Sequence, residues 1–220
     1  MTGWSPGARS RRRPSPRRPD LLRLPPHRPG LRIGLLGGSF DPAHSGHRAL
    51  SLKALRKLRL DRVWWLVSPG NPLKGRPSQG LAARIAGAAL VARHPRIAVS
   101  GIEAAIGTTF TADTLRWLLR HAPGVRFVWL MGADSLAGFH RWRDWEEIAS
   151  SLPIAVADRP RATRAALVSP AARRLARWRV PERDATSVPA RRPPALVFLS
   201  GPRVNLSSTL LRTALRERSS

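Results

Sequence analysis

The residues whose types and spacing could do chemistry are concentrated at positions 37–47, which read GGSFDPAHSGH. Two adjacent glycines permit positive φ and let a ligand's oxygens approach main-chain N–H groups that a Cβ would shield. His44 and His47 lie three positions apart, so on a helix that has begun they share one face at its positive end, where an anion is favoured. Such a turn suits the binding of phosphate oxygens.

These residues need a scaffold that presents them together. Residues 31–36 (LRIGLL) predict a buried strand running up to Gly37-Gly38. Ala49, Leu52, Leu55 and Leu58 then predict the inner face of a helix over 45–58. The alternation continues with a strand at 62–67 (RVWWLV), a loop at 68–72, an Ala-rich helix at 81–93 and a short strand at 97–100. A helix at 111–120 opens on Thr111 with Asp113 in its first turn, and a strand at 125–131 stops at Gly132. Residues 154–157 and 196–199 supply two more short apolar strands, and Trp64, Trp65, Trp117 and Trp129 read as core. The stretch 178–194, with Pro181, Pro189, Pro193 and Pro194, reads as a long irregular excursion. The fold class expected is α/β: a doubly wound, Rossmann-like, mostly parallel sheet with helices on both faces, in a single domain. Ligands then gather at the carboxyl ends of the strands, near the switch in strand order.

Composition narrows the function classes. The chain has 220 residues, 42% of them hydrophobic, which is enough for one α/β core. No apolar run approaches the roughly 20 residues of a membrane span, and the first thirty residues lack the apolar stretch of a secretory signal. Zero Cys excludes disulfides, thiolate nucleophiles and Cys-ligated zinc, and agrees with a cytoplasmic location. The formal charge of +26 taken alone suggests a polyanionic partner. Its distribution weakens that reading. Residues 1–30 hold eight Arg and one Asp in a Pro-rich segment expected to be disordered, leaving 31–220 as the folded domain. The remaining charge is scattered, without an RNP pattern, zinc finger or obvious helix-turn-helix, so no specific nucleic-acid partner is expected.

At this point the motifs match a known pattern. GGSFDPAHSGH resembles the nucleotidyltransferase signature of a glycine turn, Phe-Asp-Pro and His-x-Gly-His. NLSSTLLR at 205–212 resembles the Ser-Ser-Thr-x-x-Arg element that these enzymes place at the start of their last helix. Within that superfamily SPGNPLK (68–74), GTTFTADTL (107–115), GADSL (132–136) and FHRWRDW (139–145) resemble nicotinate-nucleotide adenylyltransferases. The resemblance covers about 31–216; Phe110 replaces a frequent Tyr and Leu206 a common Ile, both keeping bulk and apolarity. Pantetheine-phosphate adenylyltransferases and cytidylyltransferases share the glycine-histidine turn, but GTTFTADTL and FHRWRDW argue against them. An RNA-binding module with a degenerate nucleotide site is opposed by intact His44, His47 and Arg212.

The resemblance implies transfer of the adenylyl group of ATP to nicotinate mononucleotide, without a covalent intermediate. It makes His44, His47, Lys74 and Arg212 the catalytic set. ATP would be held by Gly37, Gly38, Ser39, Phe40, Gly46 and the two histidines, with Gly132 and Asp134 at the nucleoside. Ser207, Ser208, Thr209 and Arg212 would take the far phosphates, the Arg fork suiting phosphate oxygens. Nicotinate mononucleotide would lie against Trp142, its carboxylate near Thr109 and Arg143, with Lys74 adding a mobile charge. No protein metal site is implied; Mg2+ would travel with ATP, and Asp41 would shape the turn.

Overall fold

The computed structural model describes residues 23–70, 77–158 and 162–201. Its frame is a seven-stranded sheet in the order β3-β2-β1-β4-β5-β7-β6, built from β1 (Arg32–Gly38), β2 (Arg62–Val67), β3 (Ile97–Ser100), β4 (Arg126–Gly132), β5 (Ile154–Ala157), β6 (Arg179–Val180) and β7 (Leu196–Leu199). Every described pairing is parallel. The chain winds outward from β1 to β3, then returns to pair β4 on the other side of β1. Between β1 and β4 the connections therefore depart in opposite directions and leave a crevice at the strands' carboxyl ends.

Strand residues alternate between two apolar layers, because successive side chains point to opposite faces. Ile33, Leu35, Trp64, Phe127, Trp129, Ile154 and Val156 face one layer, closed by α3 (Ile102–Ala105), α4 (Thr111–His121), α5 (Ala133–Ala137) and α6 (Trp145–Ser151). Leu36, Trp65, Val128, Leu130, Ala155 and Val197 face the other, closed by α1 (Ser45–Lys57) and α2 (Leu81–Ala92). The adjacent tryptophans Trp64 and Trp65 thus serve opposite cores, as do Val128 and Trp129. A sheet buried on both faces explains why its strands read as continuous apolar runs.

The expected strands and principal helices are present, with informative differences. α1 buries Leu50, Ser51, Ala54 and Leu55, while Ala49 and Leu52 are only half-buried. A three-residue spacing drifts around a helix of 3.6 residues per turn, so the inner face follows the 50/54/58 and 51/55 rows instead. Ser51 enters that face because its hydroxyl accepts from Trp65 Nε1 at 2.8 Å. The proline-rich excursion is ordered: it carries edge strand β6 and a 3-10 helix at Glu182–Ala190, whose Ala185 and Val188 enter the second core. Trp117 is half-buried and stacked on His121 at 3.9 Å rather than sunk in the core. Residues 23–30 lie against the body. Leu24 packs on the first core, the His27 ring meets Trp64 at 5.7 Å, and Gly30 N–H donates to Gly124 O at 2.8 Å.

The glycine pair acts differently from its sequence-level reading. β1 runs through Gly37 and Gly38, and neither adopts a positive φ. Gly37 is required for packing: a Cβ there would sit 2.6 Å from Trp129 Cη2, whereas one at Gly38 would meet the Phe40 ring at 3.5 Å, an ordinary contact. Gly37→Ala is therefore expected to lose about 1–3 kcal/mol of stability through overpacking, and Gly38→Ala well under half of that. Urea unfolding of both variants checks the ordering; an equal loss for the two would contradict it.

Candidate functional site

The turn after β1 is built around Phe40, the residue that takes the left-handed conformation, with φ 48°. A bulky residue there is uncommon, and its backbone cost of roughly 1–3 kcal/mol persists only where surroundings over-determine it. Here they do: the ring is 1% exposed, stacks on Trp65 at 5.0 Å and 14°, and touches the His47 ring at 4.7 Å. Anchoring Phe40 inward brings Gly38 and Ser39 to the mouth of the crevice and starts α1 immediately afterwards.

His44 is the N-cap of α1, and His47 occupies its first turn. His44 Nδ1 accepts from Gly46 N–H at 3.1 Å, and His44 N–H donates to His47 Nδ1 at 3.2 Å, a reciprocal cap that holds the two rings 3.9 Å apart. Because both Nδ1 atoms accept, the proton of each neutral imidazole resides on Nε2. Both rings thus sit at the positive end of a 13-residue helix.

A buried brace fixes this turn against its neighbours. Arg84, 2% exposed on α2, donates through Nη1 to Ser39 O at 2.6 Å and Ser68 O at 2.7 Å. It also donates through Nη2 to Pro69 O at 3.2 Å and through Nε to Gln79 O at 3.1 Å. Burial pulls its basicity down, and Asp41 opposes that shift. Asp41, 4% exposed, accepts from Ser78 N–H at 2.7 Å and Ser78 Oγ at 2.6 Å. Asp41 is thus a tie between the turn and the approach to α2, as expected. Arg84 escaped the sequence reading, although a lone Arg on the Ile85-Ala88-Ala92 face of α2 was its available signal.

A cavity of about 270 Å3 opens at the carboxyl ends of β1 and β4. Of the residues expected at the site, Gly37, Gly38, Ser39, Thr109, Trp142 and Arg143 line it together. Phe40, His44, Gly46 and His47 form the turn beside it without lining it, and Gly132 caps α5 with exposed Asp134 in the first turn of that helix. Lys74, Ser207, Ser208, Thr209 and Arg212 lie outside the described residues. Trp142 is half-buried and edge-on to Phe139 at 5.3 Å and Trp129 at 6.3 Å, so one indole both packs and forms the cavity wall. Arg143 lies over the Phe110 ring at 4.5 Å. Among the described residues, no group of three or more His, Cys, Asp or Glu could hold a metal ion.

Sequence reasoning missed Ser68, Trp129, Ser135, Arg141 and Glu103 in the lining. Glu103 is the only acidic side chain there among the described residues, is 4% exposed, and accepts from Thr114 Oγ1 at 3.2 Å. Burial pushes its carboxyl up to about 7, against the opposing pull of the Ser68 and Thr114 hydroxyls. Below that pH Glu103 is neutral, and the charged side chains lining the cavity, among the described residues, are Arg141 and Arg143. Such a cavity favours an anionic ligand with a flat ring that can use Trp142.

Residues 35–214 match the Cytidylyltransferase-like family. The chain is 57% identical to a probable nicotinate-nucleotide adenylyltransferase of Bradyrhizobium sp. (strain ORS 278), over 83% of this chain and 95% of that protein. It is also 57% identical to a protein of the same name from Methylorubrum extorquens, covering 83% of this chain and all of the relative. In fold it resembles the Plasmodium falciparum nicotinic acid mononucleotide adenylyltransferase complexed with NaAD, with a TM-score of 0.61 and 16% identity, covering 85% of this chain and 83% of that one.

The Glu103 carboxyl generates a stability prediction. Its folded-state pKa stands above its unfolded value of 4.5, so its stabilising contribution is present below pH 4.5 and is lost as pH rises through about 7. At about 1.4 kcal/mol per tenfold, the loss is on the order of 3 kcal/mol. Glu103→Gln is expected to flatten this dependence, so its melting temperature relative to wild type rises between pH 4.5 and 7 and levels off above. Parallel melting curves for the two proteins across that range would refute it.

Proposed function

This chain belongs to the nicotinate-nucleotide adenylyltransferases of the cytidylyltransferase-like family, and from that premise we propose how its crevice serves the reaction. The enzyme transfers the adenylyl group of ATP to nicotinate mononucleotide, giving nicotinate adenine dinucleotide and pyrophosphate in NAD biosynthesis. The observation that carries the assignment to this site is the cavity at the β1/β4 switch point, set between the histidine-capped turn and the Trp142 wall.

In this reading a phosphate oxygen of nicotinate mononucleotide attacks the α-phosphorus of ATP in line. The new O–P bond forms as the bond to the β-phosphate's bridging oxygen breaks, and pyrophosphate leaves with that electron pair. No protein atom becomes bonded to the substrate, so the chain's contribution is positioning and charge stabilisation. His44 and His47 donate through Nε2 to the α- and β-phosphates, and main-chain N–H groups at Gly38 and Ser39 add donors. Gly132 and Asp134 serve nucleoside recognition. The Ser207, Ser208, Thr209 and Arg212 motif takes the far phosphates, as in the resembled enzymes, with Lys74 as a mobile charge. Mg2+ accompanying ATP would supply charge neutralisation at the phosphates, with no side chain of this protein assigned to it.

The pyridine ring stacks on Trp142, and its carboxylate meets main-chain donors near Thr109 and the Arg143 charge. A neutral Glu103 below pH 7 adds no negative charge to that wall, where Arg143 also pairs with Asp144 at 3.5 Å. An amide in place of the carboxylate forfeits the charge-assisted bonds, which are roughly twice as strong as neutral ones. The enzyme works in the cytoplasm, and its Arg- and Pro-rich N-terminal segment stands outside the catalytic machinery.

The test offers ATP and Mg2+ with nicotinate mononucleotide, nicotinamide mononucleotide or phosphopantetheine, and measures pyrophosphate. Release is expected chiefly with the first; none with it would refute the reading. For the chemistry, His47→Ala is expected to lower kcat by roughly 100-fold or more while KM for nicotinate mononucleotide moves far less, because the bonds it makes strengthen as charge develops. An unchanged kcat would remove His47 from the transition state.

A further inference from the structure

Two rims face each other across the cavity mouth. One is the 108–111 segment leading into α4, and the other is the 141–144 segment leading into α6. Arg116, on α4, joins them. Its Nε and Nη2 hold Glu147 of α6 in a two-pronged pair at 2.6 and 2.8 Å, and Nη2 also reaches Asp144 at 3.3 Å. Its Nη1 binds Asp113. Asp113 in turn accepts from Thr108 Oγ1 at 3.2 Å, and the same hydroxyl accepts from Phe110 N–H at 3.1 Å. Asp144 carries a left-handed backbone, φ 54°, directly after the two residues that line the cavity, Trp142 and Arg143.

We propose that Arg116 is a positioning residue for the pyridine pocket: one guanidinium clamps the Thr108-Phe110 rim to the Trp142-Asp144 rim and sets the gap into which the ring of nicotinate mononucleotide slides. This rests on the functional reading above. Three carboxylates converge on one rigid planar fork, a geometry that a point charge such as Lys cannot satisfy. The side chains are 32–42% exposed, so solvent screens the cluster and it contributes little to global stability. Its effect is geometric. Without Arg116, Asp113 and Glu147 repel across the rims, while Asp144 keeps its pair with Arg143 at 3.5 Å and Arg143 keeps its contact with Phe110.

The experiment measures pyrophosphate release by the full chain and determines KM for each substrate at saturating concentrations of the other. Arg116→Ala is expected to raise KM for nicotinate mononucleotide roughly tenfold, because a displaced wall misplaces a bound ring, while KM for ATP and kcat stay within about twofold. Glu147→Gln, which weakens the clamp from the opposite rim, should raise the same KM by a smaller factor, and Arg116→Lys should restore little of the loss. Arg174→Ala, which removes an outward ion pair to Glu146 on the same helix α6, should alter neither KM. Parallel rises in both KM values, or an unchanged KM for nicotinate mononucleotide in a wild-type background that is active, would overturn the proposal alone. A wild-type protein inactive with nicotinate mononucleotide would overturn the functional reading and this proposal together.

Discussion

The site depends on one buried guanidinium. Arg84 gathers the carbonyls of Ser39, Ser68, Pro69 and Gln79 around a single planar group, and so joins the turn after β1, the loop after β2 and the entrance to α2. A charge taken out of water is costly unless its donors are satisfied. Here four carbonyl oxygens accept from it. Loops at the open end of a parallel sheet have no ladder to hold them, which is why the brace must come from a side chain. Asp41 with Ser78 adds a second tie at the same junction.

With the turn braced, the sheet supplies direction. Parallel strands send every carboxyl end the same way, and the reversal of winding between β1 and β4 opens the crevice there. Gly37 lets the Trp129 ring lie against β1, so the two strands present a common floor. Phe40, turned inward onto Trp65, converts the strand end into a helix start and delivers the histidines as a cap. The reciprocal cap holds both rings in place by the fold alone, the preorganisation that the proposed charge stabilisation would need.

Charge at the cavity follows from burial as much as from composition. The chain's excess of Arg is scattered, yet the cavity is positive because Arg141 and Arg143 line it while burial favours the neutral form of Glu103. The outer rim is arranged oppositely, with Asp113, Asp144 and Glu147 converging on Arg116. Three carboxylates on one guanidinium leave the outer rim net negative, so the attraction for an anionic ligand comes from Arg141 and Arg143 at the cavity itself.

The sequence alone determined the succession of the strands along the chain except β6, the principal helices, the doubly wound class and the family resemblance. Those are local or near-local properties: apolar periodicity, glycine placement and motif spacing are carried by neighbours in the chain. It also identified Thr109, Trp142 and Arg143, which the fold brings to one cavity with Gly37–Ser39 despite their separation in sequence. What it could not supply depended on distant partners. The steric need for Gly37 arises from Trp129, and the positive φ belongs to Phe40 because its ring has Trp65 to stack on. The roles of Arg84, Glu103 and Arg116 likewise emerge only when segments far apart in the chain surround a single charged group. A charged residue has the same letter in solvent, in a brace or in a cavity floor; burial and the partners that accompany it decide which it becomes.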